Sequence, residues 1–382
     1  MIQILDSTLR EGEQTPGVYF DTHIKLAIAS LLDRIGVDYI EAGHPLVSKE
    51  IYSAVKQIAN SNLKAKVCAH SRSIKKDVDT ALECNVDFIG IFFCVSEGRL
   101  NEVFKKDLDT AINQITEIIK YAKKQKPDLM IRFTPEDTVR SEFANVIRAS
   151  VAAVRAGADV ISVADTTGYM IPGTERSMYD YITRLKRELS GQDANPMIAV
   201  HCHNDRGLAL ANALDGYRAG VDIIDATVLS LGERAGLVDL AQLTAVLSAD
   251  FNERKWNLTV LSELYQLVSN HAGIAIPVNY PITGKNAFTH CAGVHTQAAI
   301  INPVHYESLN PELFGRERKI ALSHMSGIAS VRYALNQIGE KDIDDDLALK
   351  ILEKVKSVGQ RSKTIDLEEL EHIVKWCREH KF

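Results

Sequence analysis

The sequence predicts an α/β protein in which a (β/α)₈ barrel precedes a linker and a small C-terminal helical subdomain. Short apolar runs alternate with longer amphipathic segments through about the first two-thirds of the 382 residues, and this alternation implies βαβ units around a parallel sheet buried on both faces. Eight such runs within roughly 230 residues fit a closed barrel, whose usual size is about 250 residues. An open doubly wound sheet is the alternative, but no G-x-G-x-x-G follows the first strand and no P-loop occurs.

The predicted strands are short apolar runs that end in polar or turn-forming residues, at 2–7, 39–43, 66–69, 88–93, 129–133, 160–164, 198–201 and 223–228. Amphipathic segments between them predict helices at 22–35, 51–59, 107–124, 142–156, 177–189 and 207–219. Gly36, Gly157 and Gly220 follow three of these segments, as glycines often follow helix C-termini.

The periodicity changes after the eighth predicted strand. A helical pattern at 256–271 is followed by an irregular stretch that contains Pro277 and Pro281. Further helical patterns with capping signals occupy 342–358 and 366–379. We therefore expect a catalytic barrel domain at residues 1–270, and a linker with a helical C-terminal subdomain at residues 271–382.

Composition excludes several classes of protein. Hydrophobic residues at 46% and charged residues at 25% are typical of a globular protein, and the net charge of −6 offers no basic field for nucleic acid or anionic lipid. No apolar run approaches the ~20 residues that span a bilayer, and the N-terminus begins as a strand without signal-peptide features. We expect a cytoplasmic protein that binds neither nucleic acid nor membrane. The six cysteines form no CxxC pair, so we expect them to be reduced and structural.

Polar residues gather where the predicted strands end. The carboxyl ends of all strands in a (β/α)₈ barrel meet on one face, so residues remote in sequence converge there. This pattern predicts one active site, built from Asp6, Arg10, Glu11, Glu41, His70, Arg132, Thr134, Glu136, Asp137, Asp165, Thr166, His201, His203, Asn204, Asp205 and Thr227.

The most informative of these segments is AVHCHND (residues 199–205). Residues i and i+2 of a strand point to the same side, so His201 and His203 can present two imidazoles to one point. Two such nitrogens suit a divalent metal that takes nitrogen and oxygen ligands. The alternative is a pair of polar residues on the solvent face of an edge strand.

Several motifs occur together and in order. DSTLREGEQ (residues 6–14), which alone could be a polar loop, follows the first strand, and LGERAG (231–236) follows the eighth. NAFTHCAGVH (286–295), NPVHY (302–306) and FG (314–315) follow the barrel. With AVHCHND, these motifs closely resemble the homocitrate synthase and isopropylmalate synthase family, whose members are metal-dependent TIM-barrel enzymes that perform Claisen condensations. The resemblance covers nearly the whole chain.

The resemblance implies a metal site. Glu11 matches the family's metal-binding acid, and His201 and His203 match its two histidine ligands. Three protein ligands leave positions open for a substrate and water, which suits Mg²⁺, Mn²⁺ or Zn²⁺ acting as a Lewis acid.

The resemblance also implies a pocket for a 2-oxo acid. Arg10 matches the arginine that stabilises negative charge developing on the ketone oxygen, and Gln14 lies in the same motif. Arg132 and Thr134 match positions that hold a carboxylate of the keto acid, and Thr166 matches the hydroxyl at the end of strand six. Arginine suits a carboxylate because its planar fork can bind both oxygens.

Acetyl-CoA is the expected second substrate, and a base must remove a proton from its methyl group. In the family a histidine beyond the barrel, supplied by the neighbouring subunit, is assigned to this step. His295 matches it and Tyr306 matches the tyrosine shortly after, while Glu136 matches an acid near the thioester. The resemblance thus implies a homodimer with shared active sites. Without it, His295 would be interpreted as a capping histidine on a loop.

Three features favour 2-oxoglutarate as the keto acid, and therefore homocitrate synthase. No leucine-sensing domain of the isopropylmalate synthases follows the helical subdomain, Leu237 replaces their usual asparagine, and His70 matches a histidine used toward the distal carboxylate of 2-oxoglutarate. Two departures leave other keto acids open. Gly90 stands where homocitrate synthases of the lysine pathway often have aspartate, and His44 replaces the residue expected from their Thr-Ser-Pro or Thr-Thr-Pro sequence.

The alternatives are therefore an isopropylmalate, citramalate or phosphonomethylmalate-type synthase. An acyl-CoA lyase that runs the reverse cleavage is a further alternative, although such lyases tend to lack the segment from residue 276 onward. A non-catalytic relative is disfavoured by the complete set of Arg10, Glu11, His201 and His203.

Overall fold

A computed structural model describes residues 1–361 and 364–380, so residues 362–363 and 381–382 of the expected C-terminal subdomain lie outside the described residues. The chain divides into two compact units, Met1–Ile276 and Pro277–Phe382. Among the described residues, no helix combines the length and apolar character needed to cross a membrane.

Within the first unit, eight parallel strands close into a barrel in sequence order, and β8 pairs with β1. This confirms the predicted (β/α)₈ fold. The strands are β1 (Gln3–Asp6), β2 (Tyr39–Gly43), β3 (Lys66–Arg72), β4 (Phe88–Cys94), β5 (Met130–Glu136), β6 (Val160–Asp165), β7 (Met197–Cys202) and β8 (Ile223–Ala226).

Helices separate the strands and cover the barrel. They are α1 (Thr22–Ile35), α2 (Lys49–Ala59), α3 (Lys75–Glu83), α4 (Glu97–Arg99), α5 (Leu108–Gln125), α6 (Phe143–Ala156), α7 (Met178–Ser190), α8 (Ala209–Arg218), α9 (Leu240–Asp250) and α10 (Leu261–Ala272). Capping residues in the sequence set the ends of several of these helices, as α1 illustrates. At α1, the Asp21 carboxylate accepts the Ile24 N–H, and Gly36 ends the helix with φ of 93°.

The barrel interior is closed by a layer of apolar side chains to which every strand contributes: Leu5, Tyr39, Cys68, Phe88, Met130, Val160, Ala199, Met197 and Ile223. Full burial of a large apolar side chain stabilises the fold by about 1.5–3 kcal/mol. This layer forces the polar residues of the same strands toward the barrel's carboxyl end. There the strand register sets His70 beside Gly90, Gly90 beside Arg132, and Ala164 beside His201.

The second unit is mainly helical, with α11 (Gly293–Ile301), α12 (Ile328–Gln337), α13 (Asp345–Gly359) and α14 (Leu367–Glu379). A short parallel pair, β9 (Thr289–His290) and β10 (Lys319–Ile320), precedes the last three helices. Buried apolar residues from α12, α13 and α14, including Val331, Ile351 and Leu370, form a separate core. This core agrees with the helical C-terminal region expected from the sequence.

Candidate active site

A cavity of about 330 Å³ lies at the carboxyl end of the barrel strands. Its size suits a small ligand. Its lining includes eleven residues that the sequence assigned to the site, namely Arg10, Glu11, Gln14, Glu41, His70, Arg132, Thr134, Glu136, Thr166, His201 and His203, and also Gly90, Phe92, Ala164, Glu233 and Arg234. Six other residues that the sequence placed at the site do not belong to this lining: Asp6, Asp137, Asp165, Asn204, Asp205 and Thr227.

The turn after β1 places Arg10 and Glu11 in this cavity. The Ser7 carbonyl accepts the backbone N–H groups of Arg10, Glu11 and Gly12, which folds the chain back at the strand end. The buried Lys25 of α1 braces the same loop, since its Nζ lies 2.5 Å from the Glu13 carboxylate. The Gln14 amide lies against the Glu11 carboxylate, 2.8 and 3.0 Å from its two oxygens.

Glu11, His201 and His203 form a compact cluster whose ligand atoms all lie within 4.8 Å of one another. All three residues are buried. Burial, assisted by the neighbouring His201, lowers the pKa of His203 to about 3. Burial opposes ionisation of Glu11, but Arg10 and the two histidines hold the pKa of Glu11 below its usual value. A neutral imidazole and a carboxylate are the forms that bind a cation.

The donors present fit a divalent cation. The Nδ1 atom of His203 is buried and has no hydrogen-bond partner among the described residues, which is costly for a buried nitrogen unless another group binds it. Two imidazoles and one carboxylate match the ligand types that Zn²⁺ and Mn²⁺ accept.

Glu41 on β2 organises the pocket floor. Its carboxylate accepts hydrogen bonds from Ser7 Oγ (2.5 Å), Arg10 Nε (2.7 Å) and His70 Nδ1 (3.2 Å). Burial opposes ionisation, but the Arg10 guanidinium holds the pKa of Glu41 well below its usual value. Burial and Arg10 lower the pKa of His70 to about 4. His70 is therefore neutral at pH 7, stacked on Phe92 with ring centroids 4.5 Å apart.

Arg132 forms a buried ion pair with Asp225 on β8. Its Nη1 and Nη2 lie 2.9 and 2.6 Å from the two Asp225 oxygens, and Nη2 lies 2.5 Å from Ser162 Oγ. Asp225 Oδ2 also lies 2.8 Å from His201 Nδ1. Burial opposes ionisation of Asp225, but Arg132 and His201 keep its pKa below the usual value. The sequence analysis missed Asp225, although an acid within the apolar run IIDA was a detectable signal.

Thr134, Glu136 and Thr166 also line the cavity. Arg99 lies 3.1 Å from Glu136 Oε1, so the Glu136 carboxylate has a cationic neighbour. Thr166 Oγ1 accepts the backbone N–H of Asp137 at 3.1 Å, which leaves its hydroxyl hydrogen free to donate.

The loop after β8 contacts the proposed ligand Glu11 directly, because the Glu233 N–H donates to Glu11 Oε1 at 3.1 Å. Arg234 anchors the loop to Asp205 at 2.7 and 2.9 Å. Leu229, Ser230 and Arg234 have φ between 54° and 59°, a costly conformation that clusters at functional sites. At Gly236 (φ 78°) a Cβ would lie 1.6 Å from the Ser230 carbonyl oxygen, so only glycine closes this turn.

His44 does not line the cavity. Its Nε2 lies 2.6 Å from Asp77 Oδ2, and Asp77 also binds Arg72. The ring centroids of His44 and His70, which lines the cavity, are 6.0 Å apart.

His295 and Tyr306 lie in the second unit. The structure brings these two predicted residues together, with stacked rings whose centroids are 4.2 Å apart. His295 belongs to α11, and Tyr306 follows a short turn beyond it. Glu307, next to Tyr306, is fixed by His290 at 2.8 Å and by Arg318 at 2.5 Å.

Family models match both units. The model described as HMGL-like matches residues 1–268, and the model described as homocitrate synthase post-HMGL domain-like matches residues 282–363.

Curated relatives named homocitrate synthase are similar over almost the whole chain. The chain is 46% identical to the one from Pyrococcus horikoshii over 355 residues, which cover 93% of this chain and 94% of that protein. It is 40% identical to the one from Saccharolobus islandicus over 360 residues, which cover 93% of this chain and 76% of that protein.

Solved structures of low identity share the fold. The HMG-CoA lyase from Pseudomonas aeruginosa superposes with a TM-score of 0.60 at 18% identity, covering 75% of this chain and 95% of that one. The HMG-CoA lyase from Brucella melitensis superposes with a TM-score of 0.58 at 21% identity, covering 71% of this chain and 99% of that one.

Proposed function

Since the chain belongs to the HMGL-like family and carries its homocitrate synthase post-HMGL domain, we propose that it condenses acetyl-CoA with 2-oxoglutarate to give homocitrate and CoA. It is an acyl-transferring condensing enzyme. The observation that carries the choice of keto acid is that His70 and Arg132 line the same cavity as Glu11, His201 and His203. Such a cavity offers polar partners for a second carboxylate beside the site of the reacting ketone.

The proposed reaction is a condensation followed by hydrolysis of the thioester. A base removes one methyl proton from acetyl-CoA, and the methyl carbon forms a bond to the keto carbon. The former keto oxygen takes up a proton and becomes a hydroxyl group. Water then cleaves the thioester and releases CoA with its thiol proton.

A divalent cation (Mg²⁺, Mn²⁺ or Zn²⁺) held by Glu11, His201 and His203 would supply Lewis acidity toward the ketone. Arg10 donates to the oxygen on which negative charge develops, an interaction that strengthens toward the transition state. Its pairing with Glu41 keeps the guanidinium fixed before the substrate arrives. Thr134, Thr166 and Gln14 supply further hydrogen bonds from the cavity wall.

The keto acid is oriented by its carboxylates. Arg132 has its Nε–H and one Nη1 hydrogen free of Asp225 and Ser162. His70 offers Nε2, because its Nδ1 faces Glu41. An apolar analogue such as 2-oxoisovalerate would leave these buried groups without partners, which often costs several kcal/mol.

Proton transfer is assigned to Glu136, His295 and Tyr306. Glu136 lines the cavity, and Arg99 lies 3.1 Å from its Oε1 atom. His295 stacked on Tyr306 forms a second candidate pair, as the family resemblance implies. We assign this pair to the partner subunit of a homodimer. Exposed apolar side chains close to His295 support an interface there, since Val294, Ile301 and Val304 are each more than 70% exposed.

A panel of 2-oxo acids tests the proposal, with acetyl-CoA and a divalent cation present and free thiol release as the readout. We expect the largest kcat/KM with 2-oxoglutarate and much lower values with pyruvate, 2-oxoisovalerate and phosphonopyruvate. A preference for one of the other acids would reject the homocitrate assignment and retain the condensation. Cleavage of an acyl-CoA without condensation of any acid would support the lyase alternative.

A further inference from the structure

One buried carboxylate joins two parts of the pocket. Asp225 lies on β8 and is 1% exposed. Its Oδ2 atom accepts hydrogen bonds both from His201 Nδ1 (2.8 Å) and from Arg132 Nη2 (2.6 Å), and its Oδ1 accepts one from Arg132 Nη1 (2.9 Å). His201 and Arg132 come from strands that do not neighbour each other, β7 and β5.

The chemistry of these contacts restricts His201. An ionised carboxylate only accepts hydrogen bonds, so the Nδ1 of His201 must carry the ring proton. Neutral imidazole then has its lone pair on Nε2, the nitrogen free to bind a cation. A carboxylate on the other nitrogen of a metal-binding histidine commonly fixes ring orientation and strengthens binding.

The Asp225 carboxylate also fixes the orientation of the Arg132 guanidinium. Asp225 and Ser162 hold its two terminal nitrogens, and this leaves the Nε–H and one Nη1 hydrogen for a substrate carboxylate. Removal of Asp225 would leave a buried arginine without its anion, which is strongly unfavourable.

We propose that Asp225 is a positioning residue that couples the cation site to the substrate-carboxylate site by holding His201 and Arg132 with one carboxylate. This inference rests on the cation site of the proposed function. An asparagine of the same shape cannot replace it, because its amide has one acceptor oxygen and its NH₂ group would face an N–H of either His201 or Arg132. Where the NH₂ group faces His201, that histidine could answer only by moving its proton to Nε2, the nitrogen needed for the cation.

The test compares Asp225→Asn with Asp222→Asn by calorimetric titration with Mn²⁺ in the absence of both organic substrates. Asp222 lies next to β8 at the opposite end of the barrel, where it accepts the Ile198 N–H at 2.8 Å. We expect Asp225→Asn to weaken Mn²⁺ binding about 10- to 100-fold and the control to leave it unchanged. Equal affinity in Asp225→Asn and wild type overturns the inference.

A third variant separates the two halves of the coupling. Arg132→Gln leaves the contact between His201 and Asp225 in place, so Mn²⁺ affinity should change less than in Asp225→Asn, whereas 2-oxoglutarate binding should weaken in both. Unimpaired 2-oxoglutarate binding by Asp225→Asn would contradict the coupling. A wild-type protein that binds no Mn²⁺, Mg²⁺ or Zn²⁺ would instead reject the cation site itself, an outcome distinct from the failure of Asp225.

A measurement on the wild type keeps the inference testable if Asp225→Asn does not fold. Nitrogen-15 spectra of the histidine-labelled, metal-free protein distinguish the two neutral tautomers, and the His201 signal is assigned by its loss in His201→Gln. We expect the tautomer with the proton on Nδ1. The tautomer with the proton on Nε2 would overturn the role of Asp225.

Discussion

The Nε atom of Arg10 lies 2.7 Å from Oε2 of Glu41, and this buried ion pair links the turn after β1 to β2. Arg10 also pairs with the neighbouring Glu11. One guanidinium therefore pairs with both a proposed cation ligand and the acid that binds His70. This arrangement orients Arg10 and His70, the two side chains proposed to meet opposite ends of the keto acid.

Replacement of Glu41 by glutamine should impair catalysis by disturbing the positions of Arg10 and His70. Arg10 and His70 would lose their shared acceptor and shift, and a misplacement of about 1 Å can lower the rate about 100-fold. Steady-state kinetics with 2-oxoglutarate should show a fall of that order in kcat/KM. Glu50→Gln, at an exposed position on α2, is the control. A Glu41→Gln enzyme with wild-type kinetics and a native circular dichroism spectrum would reject this role.

His203→Ala should abolish cation retention and activity together, because it removes one of only two nitrogen donors in the cluster of Glu11, His201 and His203. Elemental analysis of the dialysed protein measures retention, and thiol release measures activity. His23→Ala, at a position on α1 outside the cavity lining, should change neither. Near-native cation content in His203→Ala would place the ligands elsewhere.

Mixed dimers should reveal whether active sites are shared. Glu11→Ala removes a proposed cation ligand and His295→Ala removes the proposed base, so each homodimer should be inactive. If His295 acts on the partner's barrel, a heterodimer contains one intact site. That site combines the barrel of the His295→Ala protomer with His295 from the Glu11→Ala protomer. Co-expression with two affinity tags should then restore up to about half of the wild-type activity per dimer. Verified heterodimers that remain inactive would contradict shared sites.

His70→Leu should weaken the use of 2-oxoglutarate and relatively favour 2-oxoisovalerate. Loss of one hydrogen bond to a charged group costs about 1.5–3 kcal/mol, which corresponds to about 10- to 150-fold in kcat/KM. Competition between the two acids, with products separated by mass, measures the change. An unaltered product ratio would show that His70 does not contact the distal carboxylate.

The same residue predicts a dependence on pH. Burial and Arg10 lower the pKa of His70 to about 4, against the opposing effect of Glu41 and with a further contribution from His44. Because Nδ1 faces Glu41, Nε2 must gain a proton before it can donate to a carboxylate. Binding then takes up a proton, so KM for 2-oxoglutarate should rise with pH by up to about tenfold per unit above pH 4. A pH-independent KM in the wild type would contradict this uptake.

Asp77 should stabilise the fold in a pH-dependent way. It is fully buried, and although burial opposes ionisation, the hydrogen bonds from Arg72 hold the pKa of Asp77 below its usual value of 3.8. A carboxylate with a lowered folded-state pKa contributes stability that is present above the unfolded value and is lost as pH falls through the folded value.

Asp77→Asn should therefore lower the free energy of unfolding by about 1.5–3 kcal/mol at pH 7, and the difference should shrink as pH falls below 3.8. Denaturant unfolding, followed at pH 7 and at a pH below 3.8, measures the effect. Asp109→Asn removes a well-exposed ion pair with Arg148 and should have little effect at either pH. A penalty for Asp77→Asn that is equal at both pH values would argue against ionic stabilisation.

Local sequence patterns determined most of the barrel. Apolar runs of strand length alternate with amphipathic segments, and the predicted limits of β2 and α1 agree with the structure. The i, i+2 spacing of His201 and His203 predicted that the two imidazoles share one side of β7, where they lie with ring centroids 5.0 Å apart. The prediction did not include α3 or α9. The division into a catalytic domain at residues 1–270 and a linker with a helical subdomain at residues 271–382 stays a prediction.

Only the tertiary structure decided which buried carboxylates bind the side chains of the active site. Asp225 binds His201 and Arg132, which lie 24 and 93 residues away in sequence, and Glu41 binds Arg10 across 31 residues. His44, which departs from the homocitrate synthase pattern, is held by Asp77, a partner that the sequence did not indicate. Periodicity reports which face of a strand a residue occupies, because that depends on its own backbone alone. The partner of a buried charge depends on barrel closure and strand register, which no local pattern encodes.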